Sequence, residues 1–599
     1  MPKPTRKPSS GPGFRRIKGD GQDNPGQPVS DDAPLPDVAQ ARRHLQAGDV
    51  AAAERLLRAA LDAQPDDAAA LHLLAVARLH AGDTAAALGH AERAAALEQT
   101  ALHLNTLGSL RLQQGDGAGG RDAFERALAL DADFLEARLN LADALLADHD
   151  AEAAERHYRQ ALASAPDTVD ALNNLATLLM EQDRRPEAHE LLRRAAATAP
   201  DAAGVLANLA NNAERLGRLD EAADAATHLG KIDPGSRVAR LVQARLARRE
   251  GDAARALDLL ADLDTGAPDA ANVQVEFERA QALDRLDRTD EAFAAVTHAH
   301  ALRRALLPAA ATDPGEILAR VAALRAWTTP DRLARPEDTA ADGPVPVFFV
   351  GFPRSGTTLL ERILGAHPAV VTSGERSPLP AVRRAIAAAS GYPDGLDSLD
   401  EPALAGYRDA FWREAETLGV APGAGRVLVD KMPMNLLDLA LARRLFPTAP
   451  LLMMLRDPRD ATLSCLMQPF RPNVATAAFT DLASAATLCA DALGLWQQMR
   501  DHLAQPWMEV RYEDLVADTM GTARRVIDFL GLPWDERIQD YRRSADADPV
   551  TTPSYADVNA AVSDRAQGRW VRYRGHMASA LPILAPVVAA FDYPSGDEQ

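Results

Sequence analysis

Small and apolar residues recur through the first half of the chain every 34 residues, set between polar and charged ones. The stretch "AEAAERHYRQALASAP" at 151–166 is echoed by "RPEAHELLRRAAATAP" at 185–200 and by "LDEAADAATHLGKIDP" ending at Pro234. Ala154, Ala188 and Ala222 mark one position of the repeat, and Pro166, Pro200 and Pro234 another. Extended outward, the period puts Ala53, Ala87, Gly120, Ala256 and Ala292 at the first position, and Pro65 and Pro268 at the second. It predicts eight helix pairs, starting near residues 34, 68, 101, 135, 169, 203, 237 and 273. A small side chain lets the two helices of a pair approach closely, and proline stops the second helix before the next pair begins. One pair cannot bury its apolar face alone, so neighbours are expected to stack into a superhelix with a concave surface.

With Leu175–Ala176 on a first helix, Ala188 and Leu192 on a second, and Pro200 at the end, the array resembles the tetratricopeptide repeat. Asn140, Asn174 and Asn208 share one position on successive first helices, which line the concave face in arrays of this kind. A side-chain amide both donates and accepts, so three in line would follow the backbone of an extended peptide without reading its sequence. The arrangement resembles the asparagine ladder of the O-GlcNAc transferase superhelix. These three residues are candidate substrate contacts, with hydrogen bonding between helices as the alternative use. Leu73, Thr106 and Val242 at the equivalent positions keep the ladder short.

Beyond about residue 305 the period is lost. Residues 306–344 read as a helical connector and a Pro-rich acidic linker, and a new domain is expected over 345–599. There, apolar runs alternate with helical patterns: "VPVFFVG", "RVLVD" and "PLLMMLRD", each followed by a helix. That rhythm predicts a parallel sheet with right-handed crossovers. The expected fold class is an α-solenoid over 34–305 followed by an α/β domain of P-loop-like build. Residues 1–33, rich in Pro, Gly and charge, are expected to be disordered and carry no secretory apolar core. No run of about 18 apolar residues occurs, so no transmembrane helix is expected.

Acidic residues number 85 against 65 basic, a formal net charge of −20, which argues against a general nucleic-acid or acidic-membrane partner. The two cysteines, Cys465 and Cys489, form no disulfide framework or zinc pattern. No metal site is expected, and a reducing compartment fits.

Candidate chemistry begins with "VFFVGFPRSGTTLLERIL" at 347–364, a strand, a tight loop and a helix start. Gly351 and Gly356 permit a tight turn close to a ligand. Loop and helix N-terminal N–H groups favour an anion, Thr357 and Thr358 add hydroxyl donors, and Arg354 adds a permanently charged fork. A nucleotide hydrolase loop of the Walker type needs Gly-Lys-Ser/Thr, and that lysine is missing, which speaks against ATP hydrolysis and against a P-loop kinase. Arg456 ends another strand, with Ser464 eight residues later, and Lys431 follows a third strand in "VDKMPMN". "VRYEDLV" at 510–516 and "RAQGRWVRY" at 565–573 complete the set.

In this order the motifs resemble the PAPS-dependent sulfotransferases, and "GFPRSGTT…HP…GE" is most similar to the tyrosylprotein branch, from about Val345 onward. The resemblance implies PAPS as co-substrate, no metal, and transfer of a sulfuryl group to an acceptor hydroxyl. Arg354, Ser355, Gly356, Thr357 and Thr358 would cradle the 5′ phosphosulfate, and Arg456 and Ser464 would hold the 3′ phosphate. Tyr512 would lie near the nucleotide, and the segment from Ser554 to Ser563 would close over it with Arg569. Glu375, in "VTSGERSPLP", matches the catalytic glutamate of the tyrosylprotein branch; Lys431 and Arg354 suit the charge of the transferring group. Arg376 would orient an acidic acceptor segment or Glu375 itself. His367 is the competing base, since cytosolic sulfotransferases use a histidine, though its place before Pro368 suits a structural role. Gln468 stands where the family has a basic residue, and the closing loop differs, which implies a weaker or rearranged grip on the 3′ phosphate.

The expected function is therefore PAPS-dependent sulfation, most of all of protein tyrosine presented by the superhelix, with a polypeptide or protein partner on the concave face. One alternative is a small-molecule, glycan or lipid hydroxyl, with the repeats as a docking or dimerisation module. Another is a scaffold whose sulfotransferase domain is degenerate. Alanine- and arginine-rich usage without a signal segment suggests a bacterial, cytoplasmic protein; self-association is left open.

Overall fold

A computed structural model describes residues 36–333, 343–541 and 564–595. The 1–33 tail and the 554–563 segment, with Ser554, lie outside the described residues.

The first helices of the repeats are Pro36–Gln46, Ala68–His80, Ala101–Gln113, Leu135–Ala147, Val169–Glu181, Ala203–Arg215, Arg237–Arg249 and Ala270–Arg285. Each is followed by an antiparallel mate, from Val50–Ala63 to Thr289–Leu306. Local chemistry explains the period. Between the two helices of a pair the chain turns through a left-handed residue, glycine at 48, 82, 115, 217 and 251, and His149, Asp183 and Asp287 in the other pairs. An aspartate often follows and caps the second helix; the side chains of Asp49, Asp83, Asp116, Asp150 and Asp252 each accept a backbone N–H of the first turn. The small position of each second helix is sealed, with Ala53, Ala87, Ala154, Ala188, Ala222, Ala256 and Ala292 at 0% exposure. At Gly120 a Cβ would meet Leu112 at 2.7 Å, so this pair is packed too closely even for alanine without a shift.

The chain divides into two compact units at Asn212 and Ala213. The first contains the repeats up to residue 212. The second joins the remaining repeat helices to the sheet domain. In it Val273, Phe277, Val296 and Ala299 of the last repeat belong to the same apolar core as Ile317, Val321, Phe348, Phe411, Trp496 and Tyr573. Polar contacts reinforce the join: His300 Nε2 bonds to the Leu466 carbonyl at 2.9 Å, and Arg304 donates to the Thr480 carbonyl at 3.0 Å.

The sheet has five parallel strands: β1 (Val347–Gly351), β2 (Val370–Thr372), β3 (Val427–Lys431), β4 (Leu451–Leu455) and β5 (Trp507–Arg511), in the order β2-β3-β1-β4-β5. Every residue of β1 and β4 is buried, as expected for a sheet covered on both faces. The short β2 pairs Val370–Thr372 with Val427–Val429, and β5 lies against β4.

Candidate functional site

Topology gathers the candidate residues. In open parallel sheets, ligands bind beyond the carboxyl ends of the strands. Arg354 lies in the loop after β1, Glu375 three residues past the end of β2, and Lys431 is the last residue of β3. Arg456 directly follows β4, and Tyr512 directly follows β5. Five segments distant in sequence thus end on one edge.

The loop after β1 has the geometry of an anion cradle. Arg354 and Gly356 both adopt left-handed φ, 68° and 101°. Arginine occupies that region at a cost, so neighbours must hold it there. Arg456 donates to the Arg354 carbonyl at 2.7 Å, and Arg354 Nε donates to Ser464 Oγ at 3.1 Å. Gly356 leads into the helix Thr357–Gly365, and no side chain caps that helix. Its first N–H groups therefore face the loop. A Cβ on Gly356 would meet the Tyr512 ring at 2.5 Å, and one on Gly351 the Met454 carbonyl at 2.7 Å. The buried Ser355 Oγ and Arg456 Nε find no hydrogen-bond partner among the described residues. A cradle of uncapped N–H groups, an orphaned hydroxyl and two guanidinium groups fits a phosphate or sulfate ester.

Arg456 joins three parts of this edge. Besides Arg354, it donates to the Ala566 carbonyl and lies with Cζ 4.8 Å from the Tyr512 ring centroid. Asp460, in the first turn of the helix Pro458–Leu466, accepts the backbone N–H groups of Gly568 and Trp570 at 2.7 and 2.8 Å. Burial raises its pKa to about 6 against the pull of Arg456.

Next to the cradle is a buried cation between two carboxylates. Lys431 Nζ lies 2.8 Å from Glu375 Oε1 and 2.9 Å from Glu361 Oε2. The lysine side chain is 0% exposed, Glu361 9% and Glu375 33%, so only Glu375 presents substantial surface to a substrate. Burial works against the lysine's charge, but the two carboxylates outweigh it and its pKa stands above the ordinary value. For Glu361 burial wins over Lys431 and raises the pKa. Glu375, at φ 67°, is held by its own N–H on the Lys431 carbonyl at 3.2 Å. Ser373 Oγ accepts the Lys431 N–H at 2.8 Å.

Glu361 escaped the sequence reading. Its signal was a lone acid on the apolar side of "TTLLERIL". Asp430 was also missed. It is fully buried, accepts a hydrogen bond from Ser377 Oγ at 2.7 Å, and burial pushes its pKa up to about 7. Asn435 Nδ2 donates to the same hydroxyl at 2.8 Å, so this cluster anchors the far side of the turn that carries Glu375.

Other candidates lie elsewhere. Arg376 is exposed and donates to the Leu418 carbonyl at 3.1 Å rather than to Glu375. Arg569 Nε donates to Asp284 Oδ1 of the last repeat at 3.1 Å, and Tyr573 OH to the same oxygen at 2.8 Å. The asparagine amides bond between repeats: Asn140 donates to Asn105 at 2.9 Å, Asn174 to Asp143 at 3.0 Å, and Asn208 to Asn173 at 2.9 Å. His367 is buried and uses both ring nitrogens structurally; Nδ1 accepts the Ala369 N–H at 3.1 Å and Nε2 bonds to the Pro533 carbonyl at 2.8 Å. Both cysteines are buried and free. Among the described residues, Asp264, Glu276 and His298 bring possible metal ligands within 4.8 Å of one another. Arg279, 3.3 Å from Glu276, already pairs with that carboxylate, and His298 Nδ1 lies 3.5 Å from it.

Comparison with known proteins agrees with this geometry. Residues 346–536 match a family model described as the sulfotransferase family. Tetratricopeptide-repeat models match residues 38–101 and 105–168, and 145–202 and 179–246. An uncharacterized protein of Aquifex aeolicus (strain VF5) is 25% identical over 378 residues, covering 62% of this chain and 48% of that protein. Protein-tyrosine sulfotransferase 2 of Gallus gallus is 26% identical over 266 residues, covering 41% and 69%. Protein-tyrosine sulfotransferase 1 of Danio rerio is 28% identical over 204 residues, covering 32% and 54%. The chain thus spans about half to two thirds of the length of these relatives. It joins an array of tetratricopeptide repeats to a domain of the sulfotransferase family and resembles the protein-tyrosine sulfotransferases in the latter.

Proposed function

We propose that the chain transfers a sulfuryl group from PAPS to an acceptor hydroxyl, with protein tyrosine as the leading acceptor. The observation that carries this reading is the Glu375–Lys431 pair, 2.8 Å apart at the strand edge that also holds the anion cradle. PAPS supplies an activated sulfuryl group, bonded through oxygen to a phosphate. The 354–358 loop binds the anionic end through backbone N–H groups, Arg354 and the hydroxyls of Ser355, Thr357 and Thr358. Arg456 and Ser464 hold the 3′ phosphate in this reading, with the Tyr512 ring beside Arg456. Glu375 accepts the acceptor's proton as the new S–O bond forms. The S–O bond to the phosphate breaks, and its electron pair stays on the phosphate oxygen, whose charge Lys431 and Arg354 offset.

Gly568 and Trp570, the neighbours of Arg569, dock on Asp460 next to Arg456, while the Arg569 side chain itself is held by Asp284. The two free cysteines are consistent with a cytoplasmic setting.

A second reading has an observation in its favour. The amides of Asn140, Asn174 and Asn208 each give a hydrogen bond to the preceding repeat. That use favours a docking role for the repeats, with a small-molecule, glycan or lipid acceptor.

Label transfer from 35S-PAPS into a lysate of the source cells tests both readings. Glu375-dependent label on protein tyrosine is the expected result. Label in the small-molecule fraction keeps the enzyme and removes the peptide-presenting role. A folded chain that binds PAP yet labels nothing overturns the proposal.

A further inference from the structure

Lys431 has two acidic partners where a single acid–base step uses one. We propose that Glu361 is a positioning residue for the transfer: it is the counter-charge that keeps Lys431 an ammonium while Glu375 takes up the acceptor's proton. The inference rests on the assignment of Glu375 as the base.

The unequal burial of the two acids divides the work. Glu375, 33% exposed, can meet an incoming hydroxyl; Glu361, 9% exposed, sits behind the lysine. A buried ammonium is stable only beside a counter-ion. Before the reaction Lys431 has two. Once Glu375 carries the acceptor's proton it is neutral, and with Glu375 as sole partner Lys431 would be stranded as an unpaired buried cation. Its hold on the proton would then weaken, and the proton would pass to the leaving phosphate oxygen instead of staying on an ammonium beside it. A carboxylate charge on Glu361, 2.9 Å from the ammonium, removes that penalty. Its other oxygen accepts the N–H of Gly374, the residue before Glu375, at 3.0 Å, so the same side chain also fixes the turn that presents the base.

Glu361→Gln separates these roles. The amide oxygen still accepts from Gly374, while the charge beside Lys431 is lost. The full chain is assayed by initial rates of 35S incorporation from labelled PAPS into the source-cell lysate. PAP affinity is measured by calorimetry, alongside the melting temperature. Wild type, E375A, E361Q, K431M and the E361Q/K431M double variant run together. The expected result is a saturating rate at least 30-fold lower in E361Q, with KM for PAPS and Kd for PAP within about threefold of wild type. The double variant should match K431M alone, because Glu361 acts through the lysine and the methionine leaves no charge to balance. An E361Q rate within threefold of wild type overturns the inference. So does a double variant slower than K431M by the full E361Q factor, or an E361Q whose PAP affinity falls in step with its rate. Failure of the parent reading looks different: wild type incorporates no label, or E375A equals wild type.

Discussion

Lys431 and Asp430 are adjacent on β3, and alternation along a strand sends them to opposite faces. Lys431 meets Glu361 and Glu375, whereas Asp430 meets Ser377. The pKa of Asp430 near 7 has a consequence for stability. The unfolded carboxyl titrates near about 3.9, so between roughly pH 4 and 7 the folded state binds the extra proton. Stability from this group is full below the unfolded value and is lost as pH rises through the folded one, by on the order of 1 kcal/mol per pH unit. Asp430→Asn lacks that loss. The stability of the variant relative to wild type is therefore expected to climb from pH 5 to pH 7 and then level off, as measured by urea denaturation across pH. A flat difference would show that Asp430 is ionised in the fold. Gly356 gives a second residue-scale test. Its φ is 101°, and a Cβ there would stand 2.5 Å from the Tyr512 ring, which leaves no room for alanine. Gly356→Ala is expected to weaken PAP binding at least tenfold by calorimetry, at a cost of about 1–3 kcal/mol in stability.

Helix pairs were the most legible elements. The period of small residues and prolines located every first helix, because close helix packing needs a small residue at a fixed place and leaves a mark on the sequence. Ala188, sealed at 0% exposure, makes the point testable: Ala188→Leu should destabilise the array by about 1–3 kcal/mol in thermal unfolding. The asparagine positions were equally visible, but their partners were not. Asn174 and the hydroxyl of Tyr158, from two helices, converge on Asp143 of a third. Asn174→Ala should lower stability by about 1 kcal/mol. If the amides served an extended peptide alone, the melting temperature would not move and only peptide binding would weaken. In the sheet domain, β1, β3 and β4 stood out as continuous apolar runs. The three-residue β2 and the half-buried β5 did not, since their pairing rather than their composition makes them strands.

For the whole molecule, the second unit shows that repeat and sheet are not independent layers. Phe277 and Val296 of the last repeat share a core with Phe348 and Trp496. Asp284 ties the same repeat to Arg569 and Tyr573. A chain beginning at Ala203 is therefore expected to fold cooperatively and bind PAP, whereas one beginning at Val345 should lose cooperative unfolding because it exposes that core. Circular dichroism melts of the two chains decide this, and equal cooperativity would show that the repeats add nothing to the sheet domain's core.

The sequence alone determined the repeat period, the parallel α/β class and the glycine turn after β1, for a common reason. Each depends on residues close together in the chain, where helix spacing, strand runs and glycine turns leave a local pattern. Only the tertiary structure decided which partners Glu361, Asp430, Arg569 and the asparagines meet. Their partners come from distant segments, and a charge or an amide has no defined role until burial removes water and the fold supplies the atom it faces.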